Sequence, residues 1–191
     1  MKKIILFFLA CSGFAFCHAQ EVVVGADNSF TQSLNNYSTY AWSKSIDRIP
    51  SDKIFVNPGG VYVFNNESVR LKIKNAIAFE LSAKGYKRVE KKPGFIVLFT
   101  VTERKGSLRT YHGYQMIDNG LDSVRTPQDV ARTPIDAGTL IINAVDAKSG
   151  IVAWQGFASG ILKPGMINNQ MKVREAVGDI FNKFPFHSSK P

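Results

Sequence analysis

Residues 137–162 read AGTLIINAVDAKSGIVAWQGFASGIL, and the rest of the chain can be placed around them. Two apolar, β-favouring runs, Thr139–Val145 and Ile151–Ile161, flank the polar connector Asp146-Ala147-Lys148-Ser149-Gly150. Asp starts a turn through its own side chain and Gly supplies a positive φ at its end, so the stretch predicts a β-hairpin. Both runs are apolar at nearly every position rather than at every second one. Such strands belong at the centre of a sheet, covered on one face and partly covered on the other.

Upstream, Leu34–Trp42 carries Tyr37, Tyr40 and Trp42, an aromatic enrichment that favours a strand. Glu21–Val24 reads as a short strand or loose arm, and Lys53–Val56 and Val61–Phe64 as short extended pieces. Asn65 or Asn66 offers a helix cap. Behind it Val69, Ile73, Ala76, Ile77, Glu80, Leu81 and Lys84 share one helical face, which predicts a helix over Glu67–Lys84 stopped by Gly85. Phe95–Val101 is a second central strand, and Ser107–Met116 an exposed one. Ile117–Asp136 is polar, holds Pro127 and Pro134, and reads as a long loop. A second helix starts near Asn168 or Asn169. Its apolar stripe is Val173, Val177, Ile180, Phe181 and Phe184, and Pro185 ends it. The order predicts an α+β two-layer sandwich, a mainly antiparallel sheet with two helices packed on one face.

The N-terminus speaks to location. Met1-Lys2-Lys3 is a short positive region, Ile4–Phe16 is apolar, and Cys17-His18-Ala19 places small residues where a signal peptidase cuts. Residues 1–19 therefore read as a signal peptide and residues 20–191 as a single α+β domain. The apolar run is shorter than the roughly 20 residues that span a bilayer, so no transmembrane segment is expected. Lipidation at Cys11 or Cys17 competes with plain secretion, and only lipidation would make the protein membrane-peripheral. Phe16 is too bulky to precede a lipidated Cys17, and Cys11 leaves a very short apolar region.

Cleavage would remove both cysteines of the chain, leaving no disulfide, thiol nucleophile or thiolate metal site. Losing Lys2 and Lys3 takes the formal charge from +9 to +7. Exported proteins meet anionic envelope surfaces before nucleic acid, so no nucleic-acid partner is expected. Lys84, Lys87, Arg88, Lys91 and Lys92 also gather where cations complement a helix C-terminus.

Several segments taken in order carry a family resemblance. They are Asn36–Trp42, Ile73–Tyr86, Gly94–Val101, Gly138–Asp146 with Ser149–Gly156, and Val173–Pro185. Together they resemble the domain-of-unknown-function family 4136 (DUF4136), bacterial envelope proteins of which many are lipoproteins. The resemblance implies an exported α+β domain with no assigned activity and no catalytic residues to carry over. Gln155 stands where the family pattern has a basic residue, so no role for that charge transfers.

Chemistry is sparse in the sequence. His112 and His187 are the histidines left after the signal, with no companion ligands at metal spacing, so neither a metal nor a cofactor is expected. The chain has no Gly-x-Ser-x-Gly elbow, no His-Glu-x-x-His and no phosphate loop. Trp42 and Trp154 supply core area in the ordinary case. Exposed instead, they would join Arg109, Tyr111 and His112 in a cationic and aromatic binding surface. The expectation is a non-enzymatic binding or scaffolding module of the periplasm or outer-membrane periphery, its partner an envelope protein, lipid or glycan. The alternatives are a domain holding a lipid or other amphipathic ligand between helices and sheet and, behind it, an envelope hydrolase.

Overall fold

The computed structural model describes residues 23–27, 33–44, 54–57, 60–63, 67–102, 104–111, 115–118, 121–124, 130–150, 152–162 and 168–188. The elements in chain order are β1 (Val24–Asp27), β2 (Thr39–Trp42), β3 (Ile54–Asn57), β4 (Gly60–Val63), α1 (Glu67–Ala83), β5 (Lys87–Arg88) and β6 (Phe95–Val101). There follow β7 (Gly106–Tyr111), β8 (Gln115–Asp118), β9 (Leu121–Val124), β10 (Val130–Ile135), β11 (Leu140–Asp146), β12 (Val152–Ala158) and α2 (Gln170–Phe181). The expected signal peptide with Cys11 and Cys17, the cap at Asn65 or Asn66, and His112 all lie outside the described residues.

Six strands form one sheet in the order β1-β12-β11-β6-β2-β5. The hairpin expected from the opening stretch is β11–β12, and every residue of both strands is buried. Its register slips between Ala144 and Val145, where a bulge forms. β1, β12, β11 and β6 pair antiparallel, whereas β2 pairs parallel with both β6 and β5. A parallel partner requires a crossover, and the chain between β2 and β5 supplies it by way of α1.

The two helices share one face of this sheet. Phe95, Val97, Phe99 and Val101 of β6, with Leu140, Ile142 and Ala144 of β11, alternate toward them. They meet Val69, Ile73, Ile77 and Leu81 of α1 and Val173, Val177, Ile180 and Phe181 of α2 in one core. The opposite face carries Ile141 and Phe157, which pack with Ile135 of β10 and Leu108 of β7. The fold is thus α+β, helices on one side of a mixed sheet and a β-ribbon on the other.

Both helix ends obey local chemistry. Asn169 caps α2, its Oδ1 accepting from Met171 N at 2.9 Å and Lys172 N at 3.3 Å. At the end of α1, Gly85 takes φ +86°. Tyr86 N donates to Leu81 O at 2.9 Å and Gly85 N to Ser82 O at 2.9 Å, a Schellman closure. It turns Tyr86 back beside Leu81 in the core.

Six expectations need correction. The N-terminal strand is Val24–Asp27 rather than Glu21–Val24, set by its pairing with Gln155–Ala158 of β12. α2 ends at Phe181, short of Pro185, as Lys183 N and Phe184 N close onto Ile180 O at 3.1 Å and Phe181 O at 3.0 Å. Ile117–Asp136 contains β9 and β10; β10 pairs residue for residue with β7, Pro134 opposite Ser107. Each strand of a two-stranded ribbon is an edge strand, the place in a sheet where proline is tolerated. Ser107–Met116 is two strands, β7 and β8, and β8 folds back on β9. The Leu34–Trp42 strand begins only at Thr39, because Tyr37 N closes a turn onto Leu34 O at 3.1 Å. β12 ends at Ala158; Gly160, at φ +69°, turns the chain so that Ile161 and Leu162 enter the core from a loop.

Candidate functional site

Of the five residues expected to form a binding surface, His112 lies outside the described residues and Trp154 has no surface to offer. Trp154 is wholly buried, its exposure 0%. Its ring packs on Phe184 at 4.8 Å and Phe181 at 5.6 Å, and its Nε1 donates to Lys183 O at 3.3 Å. The apolar indole follows the core face of β12 beneath α2, which removes it from any surface. Trp42 is half-buried, edge-on to Tyr40 and Phe99, with the Lys74 ammonium 6.0 Å from its ring. Arg109 and Tyr111 lie on β7 opposite Arg132 and Val130.

The space between helices and sheet is filled. Trp154, Phe181 and Phe184 form one aromatic cluster, and Tyr86 joins Phe184 at 6.2 Å to Phe95 at 5.0 Å. Gly156 marks the closest approach: a Cβ there would meet the Trp154 ring at 2.4 Å and Ile180 Cγ2 at 2.6 Å.

Buried polar groups are present, and each has a partner. On the face away from the helices, Gln155 Nε2 donates to Asn143 Oδ1 at 2.8 Å across the central strands. The two side-chain amides thus satisfy one another. Asp146, 1% exposed, accepts on Oδ1 from Lys148 N, Ser149 N and Ser149 Oγ, and on Oδ2 from the Tyr37 hydroxyl. Thr102, Thr139 and Ser159 engage the backbone of residues 136 and 139. The Asp136 carboxylate pairs with Lys105 at 3.1 Å. Among the described residues no three His, Cys, Asp or Glu side chains cluster as metal ligands, and no helix is long and apolar enough to cross a membrane.

The unexpected feature is the outer face of the helix layer. Phe79 and Leu71 of α1 are 56% and 55% exposed, and Met171 of α2 is 73% exposed. The Arg174 guanidinium lies 4.7 Å from the centre of the Phe79 ring. Beside it Glu80, Met171, Arg174, Glu175 and Gly178 line an open cleft of about 500 Å³ between the helices. Leu71 and Phe79 lie off the stripe that identifies α1 as a helix. The signal is legible nonetheless: two large apolar residues eight apart, two turns along the face opposite the stripe.

The DUF4136 family profile, described as a domain of unknown function, matches residues 24–186, nearly the whole of the described chain. The chain belongs to the DUF4136 family. Among curated proteins none matches this DUF4136 chain. Solved structures similar to it include the following. A PDZ domain protein from Parabacteroides distasonis aligns at TM-score 0.44 and 15% identity over 85% of this chain, and only 35% of that protein's chain is covered. The PelC dodecamer from Paraburkholderia phytofirmans aligns at TM-score 0.44 and 10% identity over 88% of this chain and 99% of the PelC chain. A point variant of that PelC dodecamer aligns at TM-score 0.40 and 10% identity, over 84% of this chain and 97% of the variant's.

Proposed function

We propose that this DUF4136 chain is an exported cell-envelope protein, a non-enzymatic binding or scaffolding module whose contact surface is the outer face of its helix layer. Export rests on the positive and apolar N-terminal segment with its small-residue cleavage site. The observation that carries the binding role is the exposure of Leu71, Phe79 and Met171 on one side of the molecule. Solvent-facing helix positions ordinarily take charged residues, and large apolar groups gathered on such a face mark contact sites. The alternative, a carrier of a small amphipathic molecule, has less support because its place between helices and sheet is filled by Trp154, Phe181 and Phe184.

The test is capture from the native envelope. The protein, expressed from its own N-terminus and purified as processed, is compared with Leu71→Glu/Phe79→Glu. The reading predicts a specific macromolecule that the double variant fails to retain. Retention of a single lipid species, equally by both proteins, would favour the carrier instead.

A further inference from the structure

The two helices share one solvent-facing layer, yet their outer faces differ in kind. The exposed positions of α2 include Lys172, Arg174, Glu175 and Asp179, the charged face expected in water. On α1, after Glu67 at its first position, the exposed residues are Ser68, Leu71, Asn75, Phe79, Ser82 and Ala83. None is charged. The cations and the later acid of α1 (Arg70, Lys72, Lys74 and Glu80) are all partly covered. A helix that keeps charge off its most exposed line over four turns is built to face something other than water.

The order of residues along that line identifies the partner. In an antiparallel helix pair with its two-fold axis at Asn75, positions equally far from residue 75 oppose each other. Leu71 then lies across from the partner's Phe79, and Ser68 from the partner's Ser82. Glu67 falls beside the partner's Ala83. We propose, building on the reading of the α1 face as a contact surface, that its partner is a second copy of this chain, docked through antiparallel α1–α1 pairing about Asn75.

The chemistry supports self-association. A two-fold interface must be self-complementary, and this sequence is symmetric in size and polarity about one residue. Leu71 and the partner's Phe79 give two equivalent apolar contacts, one on each side of the axis. The small Ser68 and Ser82 let the helix ends approach. An amide is the polar side chain suited to the axis, because it both donates to and accepts from its own copy. Antiparallel packing also sets the N-terminus of each helix beside the C-terminus of the other, so that the two macrodipoles attract. Arg174, stacked on Phe79, extends the rim from α2.

Cysteine cross-linking separates this geometry from others. The background is the full chain carrying Cys11→Ser and Cys17→Ser, which has no other cysteine. Packed helix axes lie about 8–10 Å apart, which brings residues at the axis within disulfide reach. Asn75→Cys is therefore expected to link two chains on mild oxidation. Ser82→Cys alone should not link, and Ser68→Cys with Ser82→Cys should. Sedimentation equilibrium should show a dimer that Leu71→Glu/Phe79→Glu abolishes throughout the concentration range, with the helical circular dichroism unchanged. A chain that is monomeric from micromolar to millimolar with no Asn75→Cys link, or a dimer that tolerates the double glutamate variant, would overturn the proposal. If the monomer still captures an envelope macromolecule through Phe79, the broader contact-surface reading survives while self-pairing does not.

Discussion

Gly156 has no room for a methyl group. Its backbone lies under the Trp154 ring and against Ile180, so Gly156→Ala must push α2 off β12 or turn the indole from its place. Overpacking of this kind costs about 1–3 kcal/mol, and a urea midpoint lowered to match is the expected result. Tyr86 acts through its hydroxyl. It is 2% exposed, donates to Leu34 O at 3.3 Å, and burial pushes its pKa from 10.0 up to about 12. The folded state keeps this proton to higher pH than the unfolded chain does. Its contribution is therefore complete below pH 10 and is lost as pH rises from 10 toward 12. The slope is at most about 1.4 kcal/mol per pH unit for one such group. Tyr86→Phe should cost roughly 1 kcal/mol at neutral pH and flatten the alkaline decline, as read by urea titrations from pH 8 to 12. Tyr40, raised by burial against the opposing pull of Arg88, leaves a residual slope in that variant.

At the scale of elements, the central hairpin is held by the residue that starts its turn. Asp146 gathers two backbone N–H groups and one hydroxyl on a single oxygen and ties the other to Tyr37, which lies against Gly94 before β6. Asp146→Ala should therefore loosen the turn and the anchorage of β2 together, at about 2 kcal/mol. Asp146→Asn, which keeps an acceptor at the turn, should cost less, and thermal unfolding of the pair measures the difference. These are also the elements the sequence displays plainly. The hairpin, both helices, the Asn169 cap and the Gly85 stop follow from periodicity and local turn chemistry. The ribbon strands are hidden because Val130–Ile135 sets Arg132 and Thr133 among apolar residues without alternation and contains Pro134. Hairpin signals are nonetheless written in the two-residue links Pro58-Gly59 and Asn119-Gly120 between paired strand ends. The parallel edge strand β5 leaves no such trace. Lys87 and Arg88 are exposed, and what makes them a strand is backbone bonding to β2: Lys87 N to Ser38 O at 2.9 Å and Val89 N to Tyr40 O at 2.8 Å.

For the molecule as a whole, exposure separates large apolar residues that their type does not. Tryptophans in strands attract attention in a sequence, yet Trp154 lies at the centre of the core while Phe79 and Leu71 face solvent. For a tryptophan in a strand no local pattern distinguishes burial from exposure, since the side of the strand that faces water depends on what packs across it. Once α1 is placed on the sheet, its outer line is fixed, and its lack of charge becomes visible. The claim that joins fold to function is that this line is covered in the cell. Hydroxyl-radical footprinting tests it directly, comparing the isolated, dilute protein with the same protein in its native envelope fraction. The account predicts that Phe79 and Leu71 become protected in the envelope while exposed residues of the turn after β11, such as Lys148, keep their reactivity. Unchanged labelling of Phe79 and Leu71, with protection arising elsewhere on the chain, would contradict it.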